Sequence, residues 1–270
     1  MLAKMAKDEP EKYQSFWGEF GNVLKEGPAE DYAHKEEIAK LLRFASTHTD
    51  SDAQSVSLDD YLSRMKEKQD KIYYMFTDNY LAVRWSRELE VLRQKGGEVL
   101  VLLKRIDECL MNHLTEFDGK KFVSVTQGDL ELGELEDDAS RKQQEDLAKE
   151  HEGLVEKITK ALGDKVKSVR VSHRLTSTPS CVVTDAHGMS SHMMRLMQAA
   201  GQKVPEQKFI LEVNPEHALV QRLANVADET QFAEWSLLLL EQAQLAEQGG
   251  LADPASFVAR INRLLAVTTC

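Results

Sequence analysis

KIYYMFTDNYLAVRWSRELEVLRQKGGEVLVLLKRIDECLMNHLTEFDGKKFVSV, residues 71–125, decides the architecture of this chain. Lys71 to Phe76, Val99 to Leu103 and Phe122 to Val125 are short runs rich in β-branched and aromatic residues, each the length of a strand. Between them, Val83 to Gln94 and Arg105 to Phe117 carry helical spacing, the first ended by Gly96-Gly97. Strands separated by helices of this length predict βαβ units on a mostly parallel sheet. A ligand would sit at the carboxyl ends of such strands, yet no glycine-rich phosphate loop follows either one, so no nucleotide site is expected there.

On the amino-terminal side, Leu2, Met5 and Ala6 stand at helical spacing without a capping residue, as in a chain that begins inside a helix of something longer. No secretory signal is expected, because Met1 leads into a lysine-bearing amphipathic segment. Phe16, Trp17, Phe20, Val23 and Leu24 form one apolar face; Gly27-Pro28 should break the helix, and Ile38, Leu41, Leu42 and Ala45 should resume it. Ser57, with Asp59 and Asp60 behind it, reads as the cap of a third helix.

On the carboxyl-terminal side, the charge-rich run Asp129 to Asp146 marks a domain boundary, and Leu147, Leu154, Ile158 and Leu162 continue it as a helix. Val169, Val171, His173 and Leu175 alternate with polar residues as a half-buried strand; Cys181 to Thr184 and Phe209 to Val213 supply two more, and Asn214-Pro215 should open a helix. MSSHMMRLMQAA, residues 189–200, sets Met189, Met193, Leu196 and Met197 on one helical face. Flexible, polarizable side chains of this kind suit an adaptable binding surface as well as they suit a core.

The last two helices carry the second strong signal. Phe232, Trp235 and Leu239 share a face that Leu237, Leu238 and Leu240 widen, and Phe257, Ile261, Leu264 and Leu265 follow at i, i+4, i+7 and i+8. A hairpin apolar on more than one side calls for a partner, and a two-fold four-helix bundle with a second copy of the chain satisfies it. The expected fold class is thus mixed, α+β and α/β. It comprises a helical connector (1–65), a small αβα unit (66–135), a charged helical linker (136–165) and a domain with a small antiparallel sheet and a helical dimerisation hairpin (166–270).

Composition narrows the function. With 270 residues, 42% hydrophobic and 29% charged, the chain has material for about two globular domains, and its apolar runs are too short to span a bilayer. A net charge of −11 without a basic stripe argues against nucleic acid. Cys109, Cys181 and Cys270 are odd in number and widely spaced, which fits a reducing cytosol. Cys109 and His113 lie at i, i+4, but nothing completes a triad or a metal site; His187 and His192 read as solvated loop histidines, and Asp107 and Glu108 point apart on their helix. No catalytic, cofactor-binding or metal-ligating residue is assigned. A stand-alone enzyme on the αβα unit and a purely structural dimerisation fragment remain alternatives to a binding module.

FWGEFGNVLKEG (16–27), KLLRFAST (40–47), SLDDYLSRMKEKQDKIYY (57–74), LTEFDGKKFVSV (114–125), HRLTSTPSCVVTD (173–185) and LEVNPEHALVQRLA (211–224) carry a resemblance to the bacterial ninety-kilodalton heat-shock chaperones, nearly end to end. The resemblance implies the later middle domain, up to about residue 135, followed by the carboxyl-terminal dimerisation domain. It implies a homodimer that binds unfolded or partly folded clients in the cytoplasm. ATP, Mg and the catalytic arginine of that family belong to segments that precede this stretch. The family's client-contacting helix corresponds to Met189, Met193, Leu196 and Met197, and the hairpin residues Phe232, Trp235, Leu239, Phe257, Ile261, Leu264 and Leu265 fall in its dimer-forming region. Cys109 stands where relatives carry an aromatic residue.

Overall fold

A computed structural model describes residues 1–130, 132–204 and 207–267, with the backbone only at 134 and 267. The chain divides into two compact units. The first holds Met1–Ser86, Leu92–Val125 and Leu130–Glu136; the second holds Arg87–Val91, Thr126–Asp129 and Asp137–Cys270.

The first unit opens with α1 (Leu2–Asp8), α2 (Pro10–Glu30) and α3 (Lys35–Ala39). β1 (Phe44–Ser46), β2 (Ser51–Val56), α4 (Leu58–Arg64), β3 (Lys71–Phe76), α5 (Tyr80–Val83) and α6 (Glu90–Gln94, which runs on from the second unit) come next. β4 (Val99–Leu102), α7 (Arg105–His113), β5 (Glu116–Phe117) and β6 (Lys120–Ser124) complete it. The sheet runs β2-β1-β4-β3-β6-β5. Its centre is parallel, β3 lying between β4 and β6, and both flanks are antiparallel. Ser57 caps α4 in a reciprocal box with Asp60. Asp118 and Gly119, both at positive φ, close the β5–β6 hairpin, the backbone that a two-residue Asp-Gly turn favours.

The structure departs from the sequence reading here in four ways. The helix does not stop at Gly27-Pro28: α2 continues through it, because Tyr13, Trp17, Gly21, Lys25 and Pro28 form its buried face and their packing outweighs one missing backbone bond. Gly27 also leaves room for Ile38, since a Cβ at position 27 would lie 3.0 Å from the Ile38 side chain. Phe20 and Val23, expected on the inner face, are exposed. Residues 44–46 and 51–56, read as part of a helical connector, are strands that join the sheet, since Ala45 pairs with Val101. The helix expected over Val83 to Gln94 is split into α5, a short 3-10 turn and α6.

Lys25 is the unexpected member of that buried face. Its ammonium lies 2.6 Å from the Asp107 carboxylate and within 5.6 Å of the Trp17 ring centroid and 5.3 Å of that of Phe44. Asp107 in turn accepts from the N–H groups of Leu103 and Lys104 at 3.1 and 3.0 Å, fixing the start of α7. A fully buried pair is tolerable only when its remaining lone pairs and protons are satisfied in this way.

The second unit consists of α8 (Asp138–Glu150), α9 (Glu152–Leu162), β7 (Ser168–Val171), β8 (Ser180–Val183), α10 (Ser191–Ala199), β9 (Ile210–Val213), α11 (Ala218–Ala224), α12 (Glu229–Gln248) and α13 (Pro254–Val267). The expected linker helix contributes Ile158 and Leu162 to the core, where Leu211, Phe232 and Leu239 meet them. The sheet, expected to be antiparallel, is mixed: β9 lies in the middle, parallel to β7 and antiparallel to β8. Alternation marks a strand but not its neighbour, and β7 reaches β9 only after β8 and α10 have intervened. β7 also ends at Val171, short of His173 and Leu175. Asn214-Pro215 does not start a helix; Asn214 turns the chain by accepting from Glu216 N–H, and His217 caps α11.

Replacing Lys25 with Met should strand the Asp107 carboxylate without its cation and lower unfolding free energy by about 3–5 kcal/mol. The double variant Lys25→Met/Asp107→Leu should recover part of it. Urea denaturation monitored by circular dichroism measures both, and a single-variant loss below about 1 kcal/mol contradicts the assignment.

Candidate functional site: a half-exposed methionine helix and an apolar hairpin

Ser190 caps α10 by accepting from Met193 N–H at 3.0 Å, and Gly201, at positive φ, lies just past its carboxyl end. Ser191, His192 and Met194 point inward and are buried. Met194 belongs to the core of the second unit, and Met189 packs half-buried against that core. Met193, Leu196 and Met197 are neither buried nor fully exposed; they line the flank of the helix beside the anchoring Met194. The turn of the helix is held by Arg195, whose guanidinium donates to the Glu247 carbonyl at the end of α12, 3.0 Å away. His192, expected in a solvated loop, is thus buried, whereas His187 is exposed as read. Periodicity located the apolar stripe; which flank entered the core depended on where α12 lies.

The terminal hairpin separates the residues expected at a subunit contact into two sets. Phe232, Trp235, Leu239 and Leu264 are buried within the chain's own core. Phe257 and Ile261 are half-buried, and Leu265 is 60% exposed. Val258, which the sequence reading did not single out, is 54% exposed and stands at i−3 from Ile261 and i−7 from Leu265. Arg260 fixes which side of α13 turns inward: it is buried between Glu234 and Glu241, at 3.0 Å from each, while Arg263 adds a 2.7 Å bond to Glu234. The remaining outward ridge is Val258, Ile261 and Leu265, a stripe one helix wide.

Behind both features lies a buried ion cluster. Glu212, on the central strand β9, is 1% exposed. Its carboxylate lies 2.6 Å from the Arg170 guanidinium and 2.8 Å from Arg174 Nε, and accepts from Ser172 Oγ at 2.8 Å. The two guanidiniums also converge on the Gly128 carbonyl, at 2.6 and 2.7 Å. Burial by itself raises the carboxyl pKa of Glu212, but the charges of Arg174 and Arg170 outweigh it and hold the group below its ordinary value. Burial, reinforced by the Glu212 charge, pushes the Cys181 thiol well above its ordinary value. A thiol so held is a poor nucleophile.

The residues weighed for catalysis are otherwise engaged or set apart. Cys109 is exposed, and the His113 ring is turned to the Cys109 backbone carbonyl at 3.0 Å. Asp107 is committed to Lys25. Cys270 lies outside the described residues. Among the described residues, no three His, Cys, Asp or Glu side chains converge as a metal site, and no helix is long and apolar enough to cross a membrane.

Comparison with known proteins gives a consistent picture. A family model described as Hsp90 protein matches residues 1–269. The chain is 60% identical over 265 residues to the chaperone protein HtpG of Shewanella loihica, an overlap of 98% of this chain and 42% of that protein. HtpG of Shewanella putrefaciens is 61% identical over the same length, again 98% and 42%. HtpG of Idiomarina loihiensis is 58% identical over 265 residues, covering 98% and 41%. The chain therefore spans about two fifths of the length of these relatives.

The Glu212 cluster makes stability depend on pH with a definite sign. A carboxyl whose folded pKa lies below its unfolded value contributes stability above the unfolded value, near 4.5, and loses it as the pH falls through the folded one. Glu212→Gln should leave the buried Arg174 and the half-buried Arg170 short of a counter-charge, cost about 3–5 kcal/mol at neutral pH, and flatten the acid limb of the stability profile. Thermal unfolding measured from pH 7 down to pH 3 tests this; an acid limb identical to that of the parent chain refutes it.

Proposed function

The chain belongs to the Hsp90 family, and on that footing we propose that it supplies the later middle and carboxyl-terminal parts of a molecular chaperone that acts as a homodimer on unfolded or partly folded clients in the cytoplasm. Residues 1–135 act as the later middle domain, 136–165 as a helical connection and 166–270 as the dimerising domain. The ATP and Mg chemistry that the family resemblance implies is assigned to no residue of this chain. The observation that carries the client role is α10: Met194 anchors it while Met193, Leu196 and Met197 stay half-exposed. Isolated apolar side chains at a surface mean little, but two methionines and a leucine on one short helix give an apolar face without a fixed shape. Such a face accepts unlike sequences because its torsions adapt to each, and covering what is still exposed of each side chain contributes a fraction of the about 1.5–3 kcal/mol that full burial of an exposed side chain supplies.

The test follows from the exposure. Met193→Ser/Met197→Ser removes apolar area from half-exposed positions, so unfolding free energy should move by no more than about 1 kcal/mol per site. Affinity for a reduced and alkylated, permanently unfolded polypeptide should fall by about tenfold, the equivalent of about 1.4 kcal/mol. Unchanged binding of that polypeptide removes α10 from the function.

The homodimer reading rests on the ridge of α13. Val258, Ile261 and Leu265 stand on the outward side of a hairpin whose inner side is already filled, so a second copy related by a two-fold axis would cover like with like. Val258→Glu/Leu265→Glu should give a folded monomer at micromolar concentration in sedimentation equilibrium, because the introduced charges are solvated in the monomer and buried only in the dimer. Leu239→Glu should instead unfold the second unit, since Leu239 is 1% exposed. A double variant that still sediments as a dimer refutes the α13 interface.

A further inference from the structure

The turn that launches α10 is held by two glutamine side chains and not by the sheet. Gln207, just before β9, meets the Met189 peptide with both halves of its amide. Met189 N–H donates to Gln207 Oε1 at 3.1 Å, and Gln207 Nε2 donates to the Met189 carbonyl at 3.2 Å. That is the pair of bonds a neighbouring strand would supply, made here by a side chain. One residue earlier, Gln127 Nε2 donates to the Gly188 carbonyl at 3.0 Å. Gln127 is itself stitched to the end of β8. It forms an isolated bridge with Thr184, flanked by Gly128 N–H to Thr184 O at 2.8 Å and Thr184 N–H to Thr126 O at 3.3 Å. Arg170 and Arg174 grip the Gly128 carbonyl from the other side. Gly188 is matched to this arrangement, for a Cβ there would lie 2.6 Å from Gln207 Nε2.

A helix of nine residues has little stability of its own and takes its direction from what holds its ends. The far end of α10 is tied by Arg195 to the Glu247 carbonyl, and its middle by Met194 in the core. Half-exposed methionines gain by burial, so a loosely launched helix would roll them onto the core and lose the face. At the starting end the burial of Ser191 and His192 is joined by the bonds at positions 188 and 189, which are made to backbone atoms, whose direction sets the helix axis.

We propose that Gln207 and Gln127 are positioning residues of the client-contacting face, fixing the exit of α10 so that Met193, Leu196 and Met197 remain available to unfolded polypeptide. This rests on the client role assigned to α10 above. The side-chain bonds of both glutamines reach the backbone of Gly188 and Met189, not the side chains of Met193, Leu196 or Met197.

Three variants of the full chain test it, each read by amide exchange of residues 189–199 and by affinity for the reduced and alkylated unfolded polypeptide. Gln207→Leu keeps the bulk and removes both bonds; Gln207→Glu keeps the acceptor for Met189 N–H; Gly188→Ala displaces the Gln207 amide without altering any methionine. Gln207→Leu and Gly188→Ala should exchange about tenfold faster across α10 and bind the polypeptide about fivefold more weakly, with Gln207→Glu intermediate and exchange within β9 unaltered. Unaltered exchange across α10 in Gln207→Leu overturns the proposal regardless of binding, and so does faster exchange with unaltered affinity. Met193→Ser/Met197→Ser in the same assay separates the two claims. If that variant binds as the parent does, the client role itself fails and the proposal with it; if it loses affinity while Gln207→Leu does not, the positioning role alone fails.

Discussion

Glu212 is an ionised carboxylate in the middle strand of the second unit, and the surrounding structure is arranged around what that charge requires. A buried carboxylate is unfavourable unless cations and donors close around it at short range. Arg170 from β7, Arg174 from the turn beyond it and Ser172 between them supply that closure. Each guanidinium has donors to spare, and both use one on the Gly128 carbonyl, which brings the segment Thr126–Asp129 into the same cluster. One charge on β9 thus fixes β7, its following turn and a segment remote in sequence, and the end of β8 is bonded to that segment in turn. Nonpolar packing alone is tolerant of sliding, whereas directed short bonds are not.

The first unit solves a related problem with different means. Lys25 and Asp107 form a single buried pair, and the cation is further accommodated by the faces of Trp17 and Phe44. Asp107 also accepts from the N–H groups of Leu103 and Lys104, just ahead of α7, so the pair also sets where that helix begins. In both units the rigid part is polar and enclosed, and the apolar material around it fills space.

Adaptability is confined to the other extreme. α10 contributes one methionine to the core and leaves three soft side chains half-covered, and α13 turns Val258, Ile261 and Leu265 outward while Arg260 keeps the opposite side engaged with α12. The proposed client role needs this division. A surface that accepts many unfolded sequences has to be deformable in its side chains and yet presented at a constant place, and rigid backbone with flexible thioethers provides both.

The sequence by itself determined what is local. β3 occurs where Lys71 to Phe76 was read, the Ser57 cap forms its reciprocal box with Asp60, and α12 and α13 carry the apolar repeats read for the last two helices. These features were legible because capping and side-chain periodicity act over a few residues. Tertiary structure alone decided the pairings. Nothing in the spacing of residues 25 and 107, or of 174 and 212, foretells a contact, because the energy that makes each pair tolerable comes from the enclosure that folding creates. The same holds for α2, which runs through Gly27-Pro28 because a buried face outweighs a local signal. It holds too for the methionine stripe: its spacing could show that one side of α10 is apolar, but only the place of α12 and the hold of Gln207 and Gln127 decided that Met194 goes inside while Met193 and Met197 stay at the surface.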